Sequence, residues 1–264
     1  MTPTAPHPSS IGALLREWRR TRDISQLDLA SRTDISARHL SFVETGRSAP
    51  SRDMVLRLAE QLDVPLRDRN RMLLAAGYAP AFSESALDTP RMGVVRAAVR
   101  TVLASHDPFP AFAVDGNWDM VDANAAVALL TEGAPPDLLT TPFNVLRFSM
   151  HPRGLAARML NLGQWRRYVL GRVERQLRVN PGAARLAEVY REFLTYPAGN
   201  EWGAASDDAF DVCVPLRLRY DGHDLSLICT VTTFGSPCDI TVEELHVENF
   251  YPADDTTERF LRSR

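Results

Sequence analysis

The run Ser36-Ala37-Arg38-His39, with Ser41 and Phe42 one turn further on, combines small, hydrogen-bonding and cationic side chains with one apolar ring on an outward phase. A helix that reads a DNA groove needs small or hydrogen-bonding residues at its start and little bulk elsewhere, and an outward Phe42 suits a thymine methyl. The same residues admit two other readings. The helix could complete a bundle with Phe42 folded back onto it, or the bundle could dock another protein with Phe42 as its anchor and no DNA readout. Chemistry of other kinds is not encoded. There is no GxxxxGK[ST], no GxSxG and no GxGxxG after a strand, so no catalytic residue is expected and the chain does not read as an enzyme. Cys213, Cys229 and Cys238 fall on strands or a tight turn, where small buried thiols are ordinary. The six histidines are scattered without i, i+4 spacing, so neither a metal nor another cofactor is expected.

Five short helices must position the candidate groove-reading residues. Ile11, Leu14, Leu15 and Trp18 recur at helical spacing in the first. Ser25 starts the second, with Leu27, Leu29 and Ala30 as its apolar set. Ser36 opens the third, which buries Leu40 and Val43 and stops at Gly46. Ser51 caps a fourth that buries Met54, Val55, Leu58 and Leu62, and Pro65 begins a fifth closed by Gly77. The second and third helices, joined by Arg32-Thr33-Asp34-Ile35, form the angled pair of a helix-turn-helix.

The 264 residues favour two domains, and 45% hydrophobic with 24% charged residues excludes wholesale disorder. Every one of the 30 basic residues is Arg, so each cationic contact is a planar fork. Residues 1–80 carry +3 and the rest −6, a mildly basic head on an acidic body, as expected where an N-terminal module meets a polyanion. No stretch suits a bilayer-spanning helix, and MTPTAPHPSS lacks the features of a signal peptide. An odd cysteine count without CxxC argues against a disulfide framework. The expectation is a reduced, cytoplasmic protein without membrane attachment.

The stretch from Ile24 to Pro65 resembles the XRE helix-turn-helix family of phage repressor and Cro, through Ser25-Gln26-x-x-Leu29-Ala30 and Glu44-x-Gly46-Arg47. More narrowly, RHLSFVETGRSAPSRDMVLRLAEQLDVPLRDRNRMLLAAGYAP, residues 38–80, resembles MmyB-like regulators. The resemblance implies that Gln26 braces a DNA complex and that Arg38 faces base edges. Ala37 and Phe42 fall on base-facing slots where the family often carries amides. Thr45, Arg47 and Arg52 would meet phosphates or the minor groove, and Arg19 with Glu44 would form an internal ion pair.

The composition changes after Pro80. AFSESALDT reads as a linker over 81–89, dividing a helix-turn-helix domain (1–80) from a second domain (90–264). The second domain opens with an amphipathic helix over RMGVVRAAVRTVLASH. Strands over Ala111–Val114 and Trp118–Val121 follow, and then a helix opened by Asn124. Further helices are expected over 143–150, 154–179 and 183–196. Strands over 213–220, 225–235 and 240–254 close the chain, the first two joined by an Asp221-Gly222 turn. This order is that of a PAS-like α+β domain, a five-stranded antiparallel sheet with helices over one face enclosing a cavity. PAFAVDGNWDMVDAN, NVLRFSMHPRGL and LICTVTTFGSPCDITVEELHVENFYPAD also resemble the MmyB-like ligand-binding domain, which implies a small apolar or fatty-acyl ligand. Phe112, Trp118, Phe143, Phe148, Trp165 and Tyr168 fall where they would surround the cavity or serve as plain core. Asn144, Arg147 and His151 lie in the matching motif; Arg147 suits either a ligand carboxylate or an intramolecular ion pair. The expected partners are double-stranded DNA, the small molecule and a second copy of the chain in a homodimer.

Overall fold

A computed structural model describes residues 10–180, 182–197 and 213–264. The leader-free reading of residues 1–9, and His7 with it, falls outside them. The chain divides into two compact units.

In the first unit, helices α1 (Ile11–Thr21), α2 (Gln26–Arg32), α3 (Ala37–Glu44), α4 (Arg52–Gln61) and α5 (Leu66–Ala75) follow the expected boundaries closely. Ser10, Ser25, Ser36 and Ser51 each accept a hydrogen bond from the backbone N–H three residues on, satisfying a donor the helix itself cannot. All five helices end alike. Asp23, Asp34, Gly46, Asp63 and Gly77 take left-handed φ values between +46° and +85°. The next N–H then bonds back to the carbonyl five residues earlier, as in Ile24 to Arg19 and Ile35 to Ala30. Glycine enters this region freely, and aspartate is one of the few other residues that tolerate it.

Leu15, Leu29, Leu40, Val43, Val55, Leu58, Leu62, Met72 and Leu73 form the core of this unit. Leu27, expected among them, is 70% exposed. Two positions from Leu29 is about 200° around a helix, so both cannot face inward. The backbones of α1 and α3 touch at Gly12, where a Cβ would lie 2.6 Å from the carbonyl oxygens of Val43 and Glu44.

This unit ends later than the expected boundary. The Asn70 side chain holds both N–H groups of Ala81 and Phe82 and the Phe82 carbonyl, and Arg67 pairs with Glu84. Residues 81–84 thus belong to the helical unit, and 85–89 to the next. The unit also takes up Pro237–Glu243, a segment assigned by the sequence to the second domain. There Asp239 bridges Ser83, the Ile240 N–H donates to the Ser83 carbonyl, and Glu243 Oε2 accepts the Leu66 N–H at 2.8 Å.

The second unit comprises 85–236 and 244–264. It holds α6 (Gly93–Ser105), β1 (Ala111–Val114), β2 (Met120–Ala123), α7 (Ala128–Thr131), α8 (Val145–Met150), α9 (Leu162–Val179) and α10 (Ala184–Thr195). Then come β3 (Leu216–Tyr220), β4 (His223–Thr233), β5 (His246–Pro252) and α12 (Asp255–Arg262); α11 (Ile240–Glu244), which follows β4 in the chain, belongs up to Glu243 to the first unit. The five strands form one antiparallel sheet in the order β2-β1-β5-β4-β3. Asp221 and Gly222 both take positive φ at the β3–β4 hairpin, as a type I′ turn requires.

Three expectations are corrected and one helix is added. The sheet is covered on both faces: Ala111 and Ala113 pack with Val99 and Leu103 of α6, while the alternating Phe112 and Val114 join the large core beneath α8, α9 and α10. The helix expected over 154–179 is interrupted. After a short turn at Leu155–Arg158, Met159 pairs with Leu218 of β3, and Asn161 bonds Arg217 and Pro215 before α9 begins. The last strand is shorter than 240–254, because Ile240–Glu244 is helical. Finally α12, capped by Asp254, was not foreseen.

Candidate nucleic-acid face and ligand cavity

The start of α3 is held from behind. Glu44 has a side chain only 1% exposed; it accepts from Arg19 Nε at 2.8 Å and Nη2 at 3.1 Å and from Gln26 Nε2 at 2.9 Å. Burial alone would raise the Glu44 carboxyl, but the bonds from Arg19 and Gln26 reverse this and hold it below its ordinary value. The Arg19–Glu44 pair expected from the family resemblance is therefore present, and Gln26 joins it. On the outer side, Arg38 is exposed and Phe42 is half-buried. The guanidinium carbons of Arg38 and Arg47 lie 5.3 and 5.9 Å from the Phe42 ring centre. Phe42 is thus half-buried with two guanidinium groups beside its ring. It is a platform under two cations, each contact worth about 0.5–1 kcal/mol at an exposed site. The Ser36 hydroxyl caps α3 at His39 N, and the Thr45 hydroxyl donates to the Ser41 carbonyl. Ala37 and His39 are half-buried, and Arg52 opens α4 in solvent.

In the second unit a cavity lies between the sheet and α8–α9, lined by Phe112, Trp118, Phe143, Phe148 and Trp165 as the sequence suggested. Met120, Val127, Val145, Leu146, Val169 and Phe250 complete much of its apolar wall. The other expected residues are not on that wall. Asn144 caps α8 and bonds Asn117 and Asp119. Arg147 grips Glu192 through Nε and Nη2 at 2.7–2.9 Å, so of its two readings the ion pair is the one observed. His151 accepts from the Arg153 N–H at the end of α8, and Tyr168 packs against Trp165.

Two charged residues that the sequence reading missed do reach the wall: Arg172 and Glu248. They pair bidentately at 2.7 and 3.1 Å, with side chains 17% and 3% exposed. The Cys229 thiol donates to Glu248 at 2.8 Å, and His246 Nε2 lies 3.3 Å from its other oxygen. Burial alone would raise the Glu248 carboxyl; His246, Arg172 and Cys229 together hold it down at about 2. Burial, with Glu248 alongside, pushes the Cys229 thiol up. A signal for both charged residues existed. Arg172 sits on the Trp165-Val169-Gln176 stripe of α9, and Glu248 alternates in phase with Phe250 on β5.

Trp118 occupies a strained position, with φ +66° in a bulky residue. Its indole donates to Gln176, Gln176 donates to the Gly116 carbonyl, and the Arg172 guanidinium lies 4.7 Å from the ring centre. This turn delays β2 by two residues from its expected start. Among the described residues no three His, Cys, Asp or Glu gather as metal ligands would, and no helix is long and apolar enough to cross a membrane.

A helical bundle with an exposed angled pair, carried on the same chain as a cavity-bearing antiparallel sheet, is the architecture of helix-turn-helix proteins with a ligand-binding body. Residues 15–68 match the helix-turn-helix family, and residues 95–263 match the family described as MmyB-like transcription regulator ligand binding domain. The chain belongs to this MmyB-like family. Two curated relatives, each named an uncharacterized HTH-type transcriptional regulator, come from Mycobacterium bovis and Mycobacterium tuberculosis. Each is 37% identical over 67 residues, which is 25% of this chain and 26% of the relative. The chain thus spans about a quarter of the length of the curated relatives it matches. A solved RNA-binding light-oxygen-voltage receptor covers 96% of this chain and 60% of its own, at 13% identity and a TM-score of 0.28. That likeness is too loose to bear on the fold.

Proposed function

We propose that this chain is a sequence-specific DNA-binding transcription regulator that places the start of α3 in the major groove and answers to a small apolar or fatty-acyl ligand in the cavity. The observation that carries the first half is Arg38, displayed in solvent on the Phe42 ring while the ion pair behind α3 is satisfied within the bundle. A bidentate arginine–guanine contact contributes about 1–3 kcal/mol of discrimination. Phe42 would meet a thymine methyl, and Ser36, Ala37, His39 and Gln26 would border the bases. Thr45, Arg47 and Arg52 would contact backbone phosphates. The working form is a cytoplasmic homodimer reading half-sites roughly 34 Å apart, or a multiple of that.

The cavity encloses about 50 Å³. Pockets that hold drug-sized ligands run to about 300–1,000 Å³. An acyl chain therefore enters only if aromatic side chains such as Phe143 and Phe148 move aside. A ligand that selects the opened state shifts the population toward it, and couplings of this kind amount to about 1–3 kcal/mol.

Fluorescence anisotropy with a DNA site selected from a random pool tests the DNA half. Arg38→Ala is expected to lose about 1–3 kcal/mol on the selected site and far less on unrelated DNA. The affinity is expected to fall with salt at a log–log slope near −5 for about six neutralised phosphates. Unchanged specificity in Arg38→Ala, or a flat salt dependence, would favour a protein-docking bundle instead.

A further inference from the structure

The ion pair at the cavity wall bears on which ligand heads can be accepted, on the reading that the cavity takes an apolar or acyl molecule. Glu248 is heavily engaged: two guanidinium N–H groups and the Cys229 thiol donate to it, and His246 Nε2 stands 3.3 Å away. Arg172 spends two of its five N–H donors on Glu248, the Tyr168 phenol oxygen engages a third, and its face rests against Trp118. Both residues line the cavity, and among the described residues no other charged side chain does. The wall therefore presents a neutral pair in which the carboxylate is held by three donors while the guanidinium keeps N–H groups to spare.

We infer that the Arg172–Glu248 pair makes the cavity selective for lipophilic ligands ending in a neutral hydrogen-bond acceptor, such as an ester, amide, lactone or alcohol, over the same chain ending in a carboxylate. A neutral carbonyl or hydroxyl oxygen can accept from the remaining N–H groups of Arg172 without disturbing Glu248. A carboxylate brings a second negative charge against a guanidinium that Glu248 already neutralises, in surroundings with little water to screen the repulsion. Arg147, the other guanidinium suited to an acid, is taken by Glu192 and stands off the wall.

The test is calorimetric titration of the full chain at neutral pH with a matched ten-carbon series (the carboxylate, the primary amide, the methyl ester and the alcohol), each below its aggregation limit. The neutral members are expected to bind at least about tenfold more tightly than the carboxylate, the smallest effect of a neighbouring like charge. In Glu248→Gln, with its fold checked by circular dichroism, the guanidinium loses its counter-ion and the preference is expected to turn toward the carboxylate. Carboxylate binding as tight as that of the amide to the unmodified protein overturns the head-group selectivity alone. Failure of every member to bind overturns both the selectivity and the apolar or acyl reading of the cavity.

Discussion

Arg38, Phe42 and Glu44 lie within seven positions on one short helix, and their neighbours give them three different tasks. Arg38 stands in water, Phe42 is sheltered by two guanidinium groups, and Glu44 is sealed behind the helix by Arg19 and Gln26. Removing one partner of a buried pair leaves the other uncompensated, at a cost of about 3–5 kcal/mol. Arg19 keeps some contact with solvent, so Glu44→Ala is expected to cost about 3 kcal/mol, near the lower end of that range, in urea unfolding. Arg38→Ala should leave the same transition within about 0.5 kcal/mol, because an exposed side chain away from the core contributes little to stability. Equal losses in the two variants would show that Glu44 does not anchor the bundle.

At the level of elements, the segment Pro237–Glu243 is the least foreseeable part of the molecule. Pro65, at the start of α5, offers no side chain to cap the helix. Glu243, far away in sequence, supplies the missing acceptor at the Leu66 N–H, where a carboxylate also meets the positive end of the helix. Cap removal typically costs about 0.5–2 kcal/mol. Glu243→Ala should therefore speed amide hydrogen exchange in the first turn of α5 while leaving α1 unchanged. The Gly12 contact gives a second prediction. Gly12→Ala must separate the backbones of α1 and α3, since the added carbon meets two carbonyl oxygens rather than a movable side chain. Overpacking of this kind costs about 1–3 kcal/mol, measurable as a lower urea midpoint.

Across the whole molecule, acid should act through carboxylates held ionised. Glu248 drops from an ordinary 4.5 to about 2, and Glu44 is shifted in the same direction. A depressed carboxyl stabilises the folded state fully above its unfolded value, and that contribution fades as pH falls toward the folded value. Stability should thus decline as pH drops from about 4.5 to 2, and Glu248→Gln should flatten the decline when melting is followed across that range. A profile identical to that of the unmodified protein would mean that Glu248 carries no such linkage.

Much of this could be read from the amino-acid order alone. Serine caps, helical spacing and two glycines placed all five N-terminal helices, since these signals act within a few residues. The family resemblance placed the Arg19–Glu44 pair. The three aspartate helix ends carried a weaker signal, because aspartate only tolerates what glycine prefers. Strand alternation and the Asp221-Gly222 turn gave the sheet its hairpin. What only tertiary packing decided depends on distant partners. Met159 and Asn161 leave helix to join β3, and Ile240–Glu244 becomes helical beside Ser83. Arg147 is claimed by Glu192, and Arg172 and Glu248 meet across 76 positions to put charge in an apolar wall. Local propensity cannot specify such pairs, because each is stabilised by a neighbour that exists only once the chain has folded.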